Sequence, residues 1–427
     1  MDRLVLIIFL VFFTAQVVIE RVLAVLNVRH VLARRGQAPE MLAGVLSADY
    51  QSRSVDYTLA RTRFGHLSAG LSAALTLLYL FSGLLPWLNE TALRAASALH
   101  LTQTDFSFLT TGVLFIGLFS ILSGILALPL ELYETFRLEA RFGFNQTTTG
   151  TFWLDKLKGL LLALVIGVPF LYALLAFVIY TGALWWLWAA LFVIAFQLAL
   201  TIIYPLLIAP LFNKFTPLAE GELKQRLEEL ARQCAFAVRG IFVMDGSKRS
   251  AHSNAYFTGL GRARRIVLYD TLIKQMSVPE LAAVLAHEIG HYKKKHILKM
   301  LALSSVLTLC GFYVLSLLLY WKPLYAAFGL GAPSVPLGLL VFSLIAGHLA
   351  FWAKPFFSWL SRKYEYQADA YAAGQAGAAP METALIKLFE KNLSTLLPHP
   401  LYSAYHYSHP TLAERIRALR AVKKNSG

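Results

Sequence analysis

Seven stretches of about 20 predominantly apolar residues recur along this chain, and they limit its fold more than any other feature. They run approximately Leu4–Leu26, His66–Leu88, Phe108–Leu132, Leu160–Tyr180, Leu184–Leu211, Ile297–Trp321 and Val335–Trp352. Hydrocarbon offers no partner for a backbone N–H or C=O, so a spanning segment must satisfy its own hydrogen bonds as a helix. Composition agrees: the chain is 57% hydrophobic and only 15% charged, where soluble domains carry about 25% charged residues. The first stretch is too long for a cleaved leader and has Glu20 and Arg21 where a cleavage region would lie, so it reads as a retained span. Little more than Thr181 and Gly182 separates the fourth from the fifth, which predicts a tight helical hairpin.

Charge orients the spans. The segment 27–65 carries Arg29, Arg34, Arg35, Arg53, Arg61 and Arg63, whereas 89–107 has only Arg94 and 322–334 only Lys322. The segment 212–296 carries Lys248, Arg249, Arg262, Arg264, Arg265 and the run Lys293 to Lys295. Basic residues near span ends stay on the cytosolic side. That rule puts the N-terminus outside, and 27–65, 133–159, 212–296 and the C-terminal tail inside. The net charge of +15 is then accounted for by topology and by contact with anionic membrane lipids. With no P-loop and no aromatic-interleaved basic motif, nucleic-acid binding is not expected. Cys234 and Cys310 are the only cysteines and lie in dissimilar surroundings, so any metal must be held by His, Asp or Glu.

Four units follow: 1–211 with spans one to five, a cytosolic segment 212–296, spans six and seven in 297–353, and a cytosolic segment 354–427. In the first cytosolic segment Leu223–Ala237 has helical periodicity. Gly240–Met244, Ala255–Phe257 and Arg265–Tyr269 read as short strands, the last two joined by a turn at Thr258 to Gly261. The fold class expected is mainly α: a seven-helix polytopic membrane protein whose two cytosolic pieces dock into one domain with a small β-sheet.

Residues 285–296 read LAHEIGHYKKKH. His287 and His291, four apart on a helix, lie one above the other and can reach a single ion. Glu288 can then act as general base toward a water. Ser277 with Glu280 forms a capping box for this helix, which is expected to run on through the lysines into the sixth span. A catalytic zinc takes three protein ligands. His296 lies about 140° round a continuous helix from His291, so it reads as an interfacial histidine beside the lysines. Glu365 is the better third ligand: two complete spans separate it from His291, which returns it to the same membrane side. Asp369, one turn on, suits a carboxylate that accepts from a ligand imidazole and fixes its tautomer. The competing reading of Glu365 and Asp369 is a solvated acidic face, and of the motif itself a chance match.

His287-Glu288-Ile289-Gly290-His291, followed after two spans by Glu365-Tyr-Gln-Ala-Asp369-Ala, resembles the type I CAAX prenyl endopeptidases, integral-membrane zinc proteases of the Ste type. The likeness extends to Leu138–Thr147, Ile208–Pro217, Gly246–Phe257 and Ser408–Arg415. It implies one zinc ion per chain on His287, His291 and Glu365, with Glu288 as base. It further implies that Asn254 and Ala255 pair with substrate backbone at a strand edge. His409 and Arg415 would stabilise charge on the scissile carbonyl or hold substrate, and a water-filled chamber would lie between the helices. The expected activity is peptide-bond hydrolysis by zinc-activated water, with cleavage of C-terminal tripeptides from prenylated CAAX-type peptides. The short loop after the second span and the short tail suggest a prokaryotic member, resident in a bacterial inner membrane; a eukaryotic one would sit in the endoplasmic reticulum. Rival readings are a quality-control metalloprotease of the heat-shock type, a zinc-stabilised membrane receptor or lipid carrier, and a secondary transporter.

Overall fold

A computed structural model describes residues 1–101, 106–258 and 265–425. The turn expected at Gly259 to Gly261, and Arg262 and Arg264, lie outside the described residues. The first six helices are α1 (Asp2–Ala33), α2 (Ala48–Phe81), α3 (Leu84–Ala98), α4 (Ser107–Glu139), α5 (Thr149–Tyr180) and α6 (Gly182–Phe212). Next come β1 (Phe215–Pro217), α7 (Glu222–Gln233), β2 (Gly240–Met244), β3 (Ala255–Thr258), β4 (Arg265–Tyr269), α8 (Asp270–Gln275) and α9 (Val278–Lys293). The chain finishes with α10 (His296–Leu318), α11 (Lys322–Ala327), α12 (Val335–Ala376), α13 (Ala378–Lys391), α14 (Pro400–His406) and α15 (Leu412–Asn425). Among the described residues seven helices are long and apolar enough to cross a membrane: α1, α2, α4, α5, α6, α10 and α12.

The spans depart from the hydropathy reading mainly at their ends. The second ends at Phe81, because Gly83 adopts φ 76° and starts α3 as a separate helix; only glycine takes this left-handed conformation without cost. The seventh does not stop near Trp352. It continues as one 42-residue helix, about 63 Å long at 1.5 Å per residue, and carries Glu365 and Asp369 rigidly out of the apolar section. Hydropathy sees only the apolar part of such a helix.

The sheet has strand order β1-β2-β4-β3, with β2 and β4 parallel and both outer pairs antiparallel. β3 is therefore an edge. One apolar core joins α7 (Leu227, Leu230), the sheet (Ile241, Ile266, Leu268), α9 (Leu281, Leu285, Ile289), α13 (Leu385) and α15 (Ile416). Tyr57, Phe142 and Phe144, from segments expected to belong with the spans, enter the same core.

α9 is set by its caps. Ser277 and Glu280 make the reciprocal capping box, with the Ser277 backbone N–H donating to Glu280 at 2.7 Å, and Lys387 of α13 donates to the same carboxylate at 2.7 Å. Gly290 lies where α9 crosses α12: a Cβ there would sit 3.1 Å from both Ala368 Cα and Tyr371 Cβ, and 3.2 Å from the Ala368 carbonyl oxygen. Two of those atoms are backbone and cannot rotate away. Gly290→Ala is accordingly expected to destabilise the fold by about 1–3 kcal/mol, read as a lower Tm in detergent; an unchanged Tm would mean that the two helices part freely.

Candidate active site

His287 and His291, one turn apart on α9, bring their Nε2 atoms to 3.1 Å. Glu365 arrives from α12 with Oε2 3.5 Å from His287 Nε2 and Oε1 3.3 Å from His291 Nε2. One ligand atom from each of the three lies within 4.8 Å of the others. Bare imidazole nitrogens at this distance repel unless a cation lies between them. Two nitrogens bound tetrahedrally to zinc at about 2.0–2.1 Å are about 3.3 Å apart, close to the spacing here. The donor set of two imidazoles and one carboxylate therefore fits a catalytic metal that keeps a position open.

A second layer backs this set. Asp369 Oδ1 is 2.9 Å from His287 Nδ1. Arg415 of α15 donates to both Asp369 oxygens, from Nε at 2.8 Å and from Nη2 at 2.6 Å. Asp369 and Arg415 are almost wholly buried, and such a charge pair persists away from water only because each compensates the other. Arg415 Nη2 also lies 3.5 Å from Glu365 Oε2. Its guanidinium thus faces carboxylates behind the site, which differs from the expectation that it reaches a scissile carbonyl. Distance along the chain hid this: α15 packs in the core, and its buried Arg415 has to meet the buried carboxylates of α12.

His409 occupies the open side. Its Nδ1 is 2.8 Å from Glu365 Oε2, yet the side chain is 60% exposed. Glu288 lies between the two histidines in sequence, and burial pushes its carboxyl up from the ordinary range against the pull of His287 and His291. Just before β3, the Asn254 carbonyl accepts from the Tyr269 N–H of β4 at 3.1 Å. In an antiparallel pair, backbone groups of successive residues point to opposite sides, so those of Ala255 face the free edge. There the Ala255 N–H is taken by the Asn254 side-chain oxygen at 2.8 Å.

Two cavities open among the helices, and the smaller of the two reaches the site at Asn254 and His409. One of about 1090 Å³ is lined by Arg21, Asn254 and His409 among others. The second, about 1450 Å³ and mostly apolar, lies between α4 and α5. Both are lined by Arg61, Ser250 and His252. Arg61 donates to Glu139 at 2.7 Å, and Tyr57 donates to the same carboxylate at 2.9 Å. Nothing in the sequence singled out this polar cluster, since its members come from three distant segments.

His296 requires a correction. The lysine run does not continue the helix: α9 ends at Lys293, Lys295 adopts φ 58°, and α10 begins at His296. A left-handed lysine is uncommon and gives no sequence signal. The break turns His296 inward, where it is 2% exposed rather than interfacial. Its Nδ1 lies 3.1 Å from His291 Nδ1, the ring atom opposite the one that faces Glu365. It touches the site from outside the ligand set.

Comparison with known proteins agrees along the whole chain. Residues 27–214 match the family described as CAAX prenyl protease N-terminal, five membrane helices, and residues 217–423 match peptidase family M48. The chain is 40% identical over 413 residues to CAAX prenyl protease 1 of Saccharomyces cerevisiae, covering 91% of this chain and 90% of that protein. It is 38% identical over 392 residues to the CAAX prenyl protease 1 homolog of Arabidopsis thaliana, covering 91% of each. The crystal structure of S. mikatae Ste24p superposes with a TM-score of 0.89 at 36% identity, over 97% of this chain and 99% of that one. Seven membrane-length helices, a His–His–Glu cluster and these likenesses converge: the chain belongs to the CAAX prenyl protease family of M48 peptidases, and is a multi-pass membrane metalloendopeptidase.

Proposed function

We propose that this protein is a zinc endopeptidase that releases the C-terminal tripeptide of prenylated CAAX-type peptides. The observation that carries the reading is the convergence of His287, His291 and Glu365 on one point, with Glu288 adjacent, beside a free strand edge and a large cavity. His287, His291 and Glu365 would hold the ion. When bound, zinc acidifies water and polarises a carbonyl.

The chain's own residues do the rest. Extended substrate adds to the β3 edge through the Ala255 backbone, with the Asn254 side chain giving way; main-chain pairing of this kind positions a peptide without reading its sequence. Glu288 takes a proton from the attacking water as the new C–O bond forms. It then delivers that proton to the amine nitrogen as the C–N bond breaks. His409, exposed at the mouth, is placed to donate to the developing oxyanion, an interaction typically worth a few kcal/mol. Asp369 holds His287, and Arg415 holds Asp369, so both act as positioning residues.

In the membrane, the N-terminus lies outside and the C-terminus in the cytosol, in keeping with the basic segments 27–65 and 212–296. The short outward loop supports residence in a bacterial inner membrane.

The purified full-length chain, incubated with a farnesylated CAAX peptide and with an unrelated peptide, tests this reading. Cleavage of the first alone is expected, lost with chelator and restored by zinc. Equal cleavage of both would favour the quality-control reading, and no cleavage of either a non-enzymatic one.

A further inference from the structure

His296 sits in a hydrogen-bonded line that ends on a candidate metal ligand. Its Nε2 lies 2.9 Å from Gln367 Oε1 and its Nδ1 3.1 Å from His291 Nδ1. Its ring stacks on Tyr364, with centroids 4.2 Å apart and planes 12° from parallel. The helix break at Lys295 aims it, and burial removes water as an alternative partner. Of the polar side chains lining the pocket beside it, Gln197 and Ser304 satisfy each other at 3.2 Å.

We propose that His296, itself set by Gln367, is a positioning residue that locks His291 in the tautomer whose Nε2 lone pair faces His287 and Glu365. A neutral imidazole has one donor nitrogen and one acceptor nitrogen. The Gln367 oxygen can only accept, so the His296 proton sits on Nε2 and its Nδ1 is bare. The His291 proton must then sit on Nδ1, pointing at His296, which leaves His291 Nε2 free to bind. Asp369 imposes the same pattern on His287 from the other side of the site, 2.9 Å from its Nδ1. Each candidate imidazole ligand thus has its own acceptor behind it: a charged one for His287, and a neutral relay for His291. A relay through a neutral ring fixes the tautomer without adding negative charge beside Glu365.

The inference rests on the reading of His287, His291 and Glu365 as metal ligands. Its test is zinc affinity of the purified, metal-stripped full chain, measured by competition with a chromogenic chelator. His296→Leu removes the acceptor while keeping an apolar body against Tyr364. His296→Asn places an amide oxygen near the former Nδ1. Outer partners of metal-bound histidines typically contribute about 10–100-fold in affinity. His296→Leu is expected to lose that much, and His296→Asn to recover most of it. Wild-type affinity in His296→Leu, or equal losses in both variants, would overturn the proposal. If the leucine variant does not fold, Gln367→Met carries the test: it removes the distal acceptor and leaves the ring stack, and wild-type affinity there would be equally fatal. His287→Ala separates the two layers of the argument. Loss of zinc there with none in His296→Leu defeats the inference alone, whereas retained zinc in His287→Ala defeats the ligand reading and the inference with it.

Discussion

Glu288→Gln is expected to lower the kcat for a farnesylated CAAX peptide by about 10²–10⁴-fold, the usual contribution of a general acid–base group, while the chain keeps its zinc. The amide has nearly the volume of the carboxylate and does not disturb the neighbouring imidazoles. It cannot take a proton from water or return one to the leaving amine. Turnover measured by chromatography, with metal content by atomic emission on the same sample, separates chemistry from assembly. Wild-type-like turnover would remove Glu288 from the mechanism. The sign of its titration is also fixed: burial raises the carboxyl, and only its ionised form works as a base. Activity should therefore fall as pH drops through a value above the ordinary carboxylate range.

Glu365→Ala should be the most damaging change, because it removes metal as well as activity. His287 and His291 alone offer two ligands, and a catalytic zinc site uses three. The loss also leaves the exposed His409 without the carboxylate 2.8 Å away, and Arg415 with its Asp369 ion pair but without the Glu365 one. Zinc content is expected near zero after dialysis against a mild chelator, and peptide cleavage should be undetectable. Full zinc occupancy in Glu365→Ala would remove Glu365 from the ligand set.

Much of the candidate site is legible before folding because its elements are short-range. His287, Glu288 and His291 share one helical turn, and the Ser277–Glu280 cap that begins the helix is also local. Glu365 became legible through a counting argument: two crossings return the chain to one side of a membrane. That argument places a residue on a surface but cannot give its distance from another. The strands Gly240–Met244 and Arg265–Tyr269 were visible from β-branched and aromatic runs, whereas β1, only Phe215–Pro217, is too short to produce a pattern.

What stayed hidden depends on contacts between distant segments or on a single unusual backbone angle. The reach of α12 to Ala376 was invisible to hydropathy, because only part of the helix is apolar. Lys295 at φ 58° broke a helix that propensity would extend, which turned an apparently interfacial histidine into a buried partner of His291. Arg415 was expected to face substrate and instead clamps Asp369, since buried charges find their counter-charges wherever packing brings them.

The sequence by itself determined the solvent of this protein, the number of its crossings and the chemical types at its candidate metal centre. Those follow from transfer free energies and from residue chemistry, which act one segment at a time. Tertiary structure alone decided which atoms face one another: Glu365 against two imidazoles, Asp369 and His296 behind them, and Ala255 on a free edge. Such contacts are set by how helices and strands pack, and packing is a property of the whole chain.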